Sequence, residues 1–179
     1  MRRRGVTFSL GWLVASLDRL ARASAPGALA VLLMVVATVP PDLPSAVPAV
    51  ALGSVLFWTM FRPATMGPAV VFGLGLLQDL LTFSPPGVGL LTLLLAHGAV
   101  LRWRGLLVRQ PFLLVWLAVA VVSAAALALG YGLNALLTWS LPPPERALHL
   151  LALAVGLYPP LALLLTRLHR RLERAEAAP

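Results

Sequence analysis

Long apolar runs alternate with short polar or proline-containing segments along this 179-residue chain. Six runs can be separated, with approximate limits 24–41, 45–61, 66–83, 87–103, 112–139 and 146–166. A helix needs about 20 residues to cross a bilayer core of about 30 Å, so the first, second and fourth runs are short and must borrow flanking residues. The pattern predicts an all-α membrane protein in which residues 24–166 form a single bundle of six transmembrane helices.

Prolines support this division because they stand between the runs. A proline has no N–H and disrupts a helix interior, so its position at the junctions favours six separate helices over three long ones. The junction prolines are Pro40, Pro41, Pro63, Pro85, Pro86, Pro111, Pro142, Pro143 and Pro144. Pro159 and Pro160 differ because they lie inside the sixth run, where they should kink or locally unwind the helix.

The composition indicates that the apolar runs are surrounded by lipid and not by water. Hydrophobic residues make up 60% of the chain and charged residues 11%, and the mean hydropathy is +0.91. Soluble globular domains have about 25% charged residues, so lipid is the expected surroundings. The absence of cysteine excludes disulfides, thiolate metal sites and cysteine nucleophiles. We therefore predict no cofactor and no metal site.

The arginines give an independent test of the helix count. A net charge of +8 would suggest nucleic acid for a soluble protein, but here 14 arginines cluster between apolar runs. If six helices start from a cytoplasmic N-terminus, only Arg146 falls outside the cell and the other 13 fall inside. Cytoplasmic loops carry such an excess of basic residues. We predict that both termini are cytoplasmic, that the protein crosses an inner membrane several times, and that it binds no nucleic acid.

The two ends of the chain are predicted to lie at the cytoplasmic surface. In residues 1–23 the apolar positions recur on one helix face, which fits a helix on the inner leaflet or a frayed start of the first span. Residues 167–179 form a basic tail that would bind anionic lipids or a cytoplasmic protein. The basic positions assigned to the membrane surface are Arg102, Arg104, Arg167, Arg170, Arg171 and Arg174.

Asp79 is the clearest candidate for a functional residue because an ionisable group within a membrane is expensive to bury. With Gln78 it lies in the outer half of the third span, and Asn134, Arg146 and His149 lie at similar depth. These residues form either an anchor for a partner or ligand, or a buried polar clasp between helices three, five and six. We favour the clasp, since a buried carboxylate requires partners.

Other polar and small residues within the spans have simpler explanations. His97, near the middle of the fourth span, is expected to be neutral and bonded to a neighbouring helix, with a proton relay as the alternative. Gly73 and Gly75 form a small face for close helix packing, within the bundle or between two copies. No second carboxylate lies at helical spacing from Asp79, and the chain lacks phosphate-loop, zinc-protease and serine-hydrolase motifs. We predict no catalytic site.

One region of the chain resembles a known family. Residues 71–81 have the sequence VFGLGLLQDLL and residues 85–91 have the sequence PPGVGLL. This stretch is similar to the characteristic region of MreD, a bacterial rod shape-determining membrane protein, as is the Arg102 and Arg104 pair after the fourth helix. The positions that the resemblance marks are Gly73, Gly75, Asp79, Pro86 and Gly87.

The resemblance implies a non-enzymatic component of the cell-elongation machinery. It implies binding to MreC and, through the larger complex, association with MreB, RodA and an elongation penicillin-binding protein. MreD-like proteins are also similar in helix arrangement to the substrate-binding subunits of ECF vitamin transporters. The alternative function is therefore a small-molecule binding subunit in which Asp79, Asn134, His149 and the kinked sixth helix line an outward pocket. The oligomeric state is left open.

Overall fold

The computed structural model describes residues 24–39, 46–141 and 143–177, without the side chains of 168–177. These ranges contain six α-helices and no strand, so the prediction of an all-helical chain is confirmed. The helices are α1 (Ser24–Val36), α2 (Ala46–Phe61), α3 (Pro68–Thr82), α4 (Val88–Leu107), α5 (Phe112–Thr138) and α6 (Pro144–Ala177). The segment 1–23 and the side chains of Arg170, Arg171 and Arg174 lie outside the described residues.

Within the described ranges, three helices are long and apolar enough to cross a membrane. They are α4, α5 and the part of α6 that spans Pro144–Arg167, whereas α1, α2 and α3 are shorter apolar helices. The fourth apolar run, which was expected to borrow flanking residues, lies in a helix of 20 residues, because α4 continues past Arg102 and Arg104. The third apolar run forms a helix of 15 residues, which is shorter than α4, because α3 begins only at Pro68 after the extended Gly67.

The centre of the bundle is α2. Thirteen of its 16 residues are buried, and it packs against α3, α4, α5 and α6. A helix that is apolar around its whole circumference is expected to lie inside a structure in this way. By contrast, only Val115, Val119, Ser123 and Ala126 are buried among the 27 residues of α5. The bundle is thus organised around its second helix, while α5 forms much of the exposed apolar surface.

Glycines allow two close helix contacts. A Cβ on Gly53 of α2 would lie 2.8 Å from a methyl group of Leu161 in α6, and a Cβ on Gly75 of α3 would overlap the backbone of Leu90 in α4. Gly73 does not share this role, because it is exposed and its Cβ position is open. Two residues turn a helix by about 200°, so Gly73 and Gly75 face nearly opposite directions. The predicted small face therefore consists of Gly75 without Gly73.

Polar contacts join α2 to α4 at two levels. Nδ1 of His97 lies 2.8 Å from Oγ1 of Thr59, so the prediction that this histidine bonds to a neighbouring helix is confirmed. Nearer the α4–α5 connection, Nε of Arg104 donates to the carbonyl oxygen of Met60 at 2.8 Å. That carbonyl belongs to the last turn of α2, where a positive charge is favourable. Arg102 and Arg167 are exposed.

Replacing Gly75 by alanine should destabilise the protein by about 1–3 kcal/mol, because α3 and α4 must separate to admit the methyl group. Gly73→Ala is the matched control: it lies in the same helix, has open space, and should be neutral or slightly stabilising. Thermal unfolding of the two variants in the same detergent would measure the difference. Equal melting temperatures would show that the close contact at Gly75 does not constrain the fold.

Candidate functional site

The Asp79 side chain is bonded to the first turn of the next helix. Gly87 precedes α4 with a φ of 102° and has no side chain to cap the helix. The Asp79 carboxylate takes that role: Oδ2 accepts from the N–H of Gly87 at 2.8 Å and from Leu90 at 3.4 Å, and Oδ1 accepts from Gly89 at 2.7 Å. The first N–H groups of a helix have no partner within it, and a carboxylate there also interacts favourably with the helix dipole.

The backbone of Asp79 has a second role at the end of its own helix. Its carbonyl oxygen accepts from the N–H of Phe83, which ends α3 in a left-handed conformation, and from the N–H of Ser84 at 3.2 Å. Oγ1 of Thr82 donates to the carbonyl oxygen of Gln78 at 2.8 Å and so satisfies another group in the last turn. One residue thus closes α3 through its backbone and caps α4 through its side chain.

Gly89 is required by this arrangement, and sequence reasoning did not single it out. A Cβ at position 89 would lie 2.5 Å from Oδ1 of Asp79 and 2.6 Å from Nε2 of Gln78. Any side chain there would push α4 away from the carboxylate. The signal that could have identified it is the spacing of Gly87 and Gly89 directly after Pro86, which leaves the start of α4 bare for an acceptor from another helix.

The expected partners of Asp79 were therefore wrong. A clasp between helices three, five and six would need bonds to Asn134, Arg146 or His149, whereas in the described part of the chain the bonds of the carboxylate run to the start of α4. The short turn through Pro86 and Gly87 brings unpaired backbone N–H groups next to Asp79. These groups, and not side chains from a more distant helix, donate to its carboxylate. Asp79 is a clasp between α3 and α4.

A cavity of about 130 Å³ opens beside this turn, at the end of the bundle that we call the α3–α4 end. Five helices and the α3–α4 turn contribute to its walls, which are mainly apolar. The lining residues are Pro48 and Leu52 of α2, Gln78 of α3, Ser84 of the turn, Val88, Gly89, Thr92 and Leu93 of α4, Ala126, Leu127, Gly130, Tyr131 and Asn134 of α5, and Pro143, Arg146, Ala147 and Leu150 at the start of α6.

The cavity brings together three of the five polar residues that the sequence singled out. Gln78, Asn134 and Arg146 line it. Asp79 lies next to it, and only 3% of this residue is exposed. His149 is on the exposed surface of α6, and its Nδ1 bonds to the carbonyl oxygen of Glu145 at 2.9 Å within the same helix. Sequence spacing alone could not predict which of Arg146 and His149 lines the cavity, because the answer depends on the rotation of α6 about its axis.

Gln78 gives the cavity its chemical character. The residue is 8% exposed, and within the described residues its Oε1 atom has no hydrogen-bond partner. A buried acceptor without a donor is unfavourable by about 1–3 kcal/mol. Arg146 adds a positive charge at the exposed rim. No cluster of three metal-binding side chains occurs in the described ranges.

Comparison with protein families identifies the chain. The family model for the rod shape-determining protein MreD matches residues 27–168, which include the Asp79 turn and the whole lining of the cavity. The chain belongs to the MreD family. MreD proteins are membrane proteins that determine rod shape, in agreement with the apolar helices. Comparisons with curated proteins and with solved structures give no match.

Replacing Asp79 by leucine should lower the stability by about 1–3 kcal/mol, because the N–H groups of Gly87 and Gly89 would be buried without acceptors. Asp79→Asn keeps one carbonyl oxygen and should have a smaller effect. Hydrogen exchange at Gly89 and Leu90 would locate the change, with faster exchange in the leucine variant than in the asparagine variant. Unchanged exchange in both variants would contradict the capping role.

Proposed function

We propose that this MreD-family chain crosses the bacterial inner membrane six times, with both termini in the cytoplasm, and binds MreC as a non-enzymatic component of the elongation complex. Through MreC it would be linked to MreB, RodA and an elongation penicillin-binding protein. Membership of the MreD family and the six apolar helices support the membrane role. Partner binding is supported by the cavity at the α3–α4 end.

The positions of charged residues along the bundle support this orientation. At the α4–α5 end, the basic residues are Arg62, Arg102, Arg104, Arg109 and Arg167. The α3–α4 end carries Asp79, Glu145 and Arg146. Because basic residues accumulate on the cytoplasmic side, the cavity would open outward. The shorter α2 is enclosed by its neighbours, so it does not need to match the bilayer thickness by itself. The exposed Arg102 and Arg167 would bind anionic lipid headgroups on the inner side.

The size of the cavity is the observation that favours a protein partner. Sites for drug-sized molecules are usually about 300–1,000 Å³, and an engineered cavity of about 150 Å³ holds a benzene molecule. A cavity of about 130 Å³ therefore fits one large side chain better than a vitamin. Single aromatic or aliphatic side chains inserted into pockets are the usual anchors of protein interfaces. MreC would supply such an anchor from a segment at the outer membrane surface.

The lining of the cavity specifies the kind of anchor. Leu52, Leu93 and Leu150 provide apolar walls, and the Gln78 side chain, whose buried Oε1 has no donor, lies among them. An aromatic side chain with an N–H or O–H, such as tryptophan or tyrosine, would fill the space, and a rotation of the Gln78 amide would bring Oε1 to this donor. Arg146 at the rim would pair with a carboxylate beside the anchor. Partner chemistry of this kind distinguishes the site from the lipid-facing surface of α5.

A small-molecule binding subunit of the ECF type is the second candidate. It is favoured by the convergence of five helices on one cavity with Asn134 and Arg146 in its lining. The molecule would have to be small or project from the cavity. Mass spectrometry of the purified, detergent-solubilised protein would detect a stoichiometric small molecule if this candidate is correct.

Cysteine labelling should establish the topology, because the native chain has no cysteine. Ser140→Cys lies in the exposed α5–α6 connection and Gln110→Cys in the exposed α4–α5 connection. In intact spheroplasts, a membrane-impermeant maleimide should modify position 140, and it should modify position 110 only after the membrane is permeabilised. Modification of both positions in intact spheroplasts, or of position 110 alone, would contradict the proposed orientation.

Filling the cavity should abolish MreC binding. Ala126→Phe places a ring into the lining, whereas Ala125→Phe is the matched control on the adjacent exposed face of α5. Copurification of tagged MreC and the rescue of rod shape in depleted cells should be lost only for Ala126→Phe.

A charge variant separates loss of binding from loss of folding. Arg146→Glu changes the exposed rim and should weaken MreC binding about tenfold or more, as expected when one charge of an interface pair is reversed. His149→Glu is its control on the same helix, away from the cavity. Normal MreC binding by both Ala126→Phe and Arg146→Glu would show that the cavity is not the binding site.

A further inference from the structure

The sixth helix contains two consecutive prolines where its hydrogen bonding should be continuous. α6 runs from Pro144 to Ala177 and includes Pro159 and Pro160 in its interior. Neither proline has an N–H, so the carbonyl oxygens of Val155 and Gly156, four residues earlier, lose their helical donors. In a lipid environment no water is present to replace these bonds, and neighbouring helices must supply them.

Trp116 of α5 replaces one of the two missing donors. Its indole Nε1 donates to the carbonyl oxygen of Val155 at 3.0 Å. This is the carbonyl that Pro159 leaves without its normal partner. The bond therefore fixes α6 to α5 at the point where the backbone of α6 has the least internal hydrogen bonding.

The packing of α6 differs on the two sides of this point. After it, Leu161, Ala162 and Leu165 are buried, and Leu161 lies against Gly53 of the central helix α2. Before it, Ala154 is buried, whereas none of residues 144–153 is. This first part of α6, residues 144–155, is the α6 arm. Arg146, Ala147 and Leu150 of the arm form one wall of the cavity.

We propose that the α6 arm is a movable wall of the cavity, hinged at Pro159 and Pro160, and that Trp116 is the positioning residue that holds it. The missing backbone bonds supply the flexible point, and the contact of Leu161 with Gly53 keeps the rest of α6 in place. Eleven residues separate Leu148 from Pro159, or about 16 Å of helix, so a tilt of about 20° would move Leu148 by about 6 Å. Such a movement would widen or close the cavity.

The hinge regulates access to the site that the proposed function assigns to MreC, and only the identity of that occupant rests on the proposed function. Because the movement belongs to the chain itself, it can be measured without any partner. A failure of the hinge proposal is then distinguishable from a failure of MreC binding.

Distances between paired spin labels would test the hinge in the detergent-solubilised full chain. Leu148→Cys on the arm and Leu80→Cys near the end of α3 are both exposed and outside the cavity lining. Trp116→Phe removes the indole N–H but keeps an aromatic ring. It should broaden the distance distribution or shift its mean by about 6 Å, the displacement expected for a tilt of about 20°. Trp103→Phe, at an exposed tryptophan of α4, is the matched control and should have no effect.

A proline variant identifies the cause of the effect. Pro159→Ala restores the helical N–H donor to the carbonyl oxygen of Val155, so the distance distribution of the Leu80 and Leu148 pair should become narrower. Adding Trp116→Phe to this variant should then change the distribution little. A second label pair, Val70→Cys with Leu164→Cys, reports on the part of α6 after the prolines and should not respond to any of these changes.

Three results would overturn the proposal. The first is an unchanged distribution for the Leu80 and Leu148 pair in Trp116→Phe. The second is equal broadening by Trp116→Phe with and without Pro159→Ala, which would assign the effect to the bulk of the indole. The third is equal broadening for the Val70 and Leu164 pair, which would indicate a general loosening of the bundle. If Trp116→Phe does not fold, Pro159→Ala alone decides: an unchanged distribution for the Leu80 and Leu148 pair contradicts the hinge.

Discussion

The hydrogen bonds from the first turn of α4 to the Asp79 carboxylate are the interaction on which the rest of the structure depends. They fix the register between α3 and α4, because the carboxylate reaches the N–H groups of Gly87 and Gly89 in only one relative position. The bare backbone at Gly75 and Gly89 follows from the same register, since both positions lie where the helices touch. Gln78, one residue earlier, is thereby directed to the cavity. A single buried side chain thus determines a turn, a helix contact and one wall of the candidate site.

Polar side chains elsewhere in the bundle serve the backbone in the same manner. Arg104 bonds to the last turn of α2, and Trp116 bonds to the carbonyl that Pro159 leaves without a donor. In an apolar medium, an unpaired peptide group is costly, so most of the few polar residues are used for this purpose. Ser54, Gln78 and His97 each keep a buried atom without a partner among the described residues, and of these three only Gln78 lines the cavity. This contrast, more than the number of polar residues, separates structural groups from the candidate binding group.

The sequence was sufficient for the helices and for three polar residues of the cavity lining, and its failures have physical causes. Apolar runs and prolines predicted the helices because both act locally. The choice between Gly73 and Gly75, and between Arg146 and His149, depends on the rotation of a helix, which neighbouring helices decide. The partners of Asp79 were missed because they are backbone N–H groups, and the types of the side chains do not show which backbone groups at a turn lack a partner. The cavity and the role of Gly89 depend on how five helices converge, and no local pattern contains that information.

The enclosure of α2 has a consequence for how the protein is made. Among the described helices, α2 is the second to leave the ribosome, yet its surroundings include α6, which is synthesised after the other five. Until then, the face of α2 that receives Leu161 at Gly53 must be covered by lipid or by the insertion machinery. Insertion and packing are therefore separate stages, as is general for helical membrane proteins. A nascent chain interrupted before α6 would contain every residue of the Asp79 turn but would lack the neighbour that completes its core.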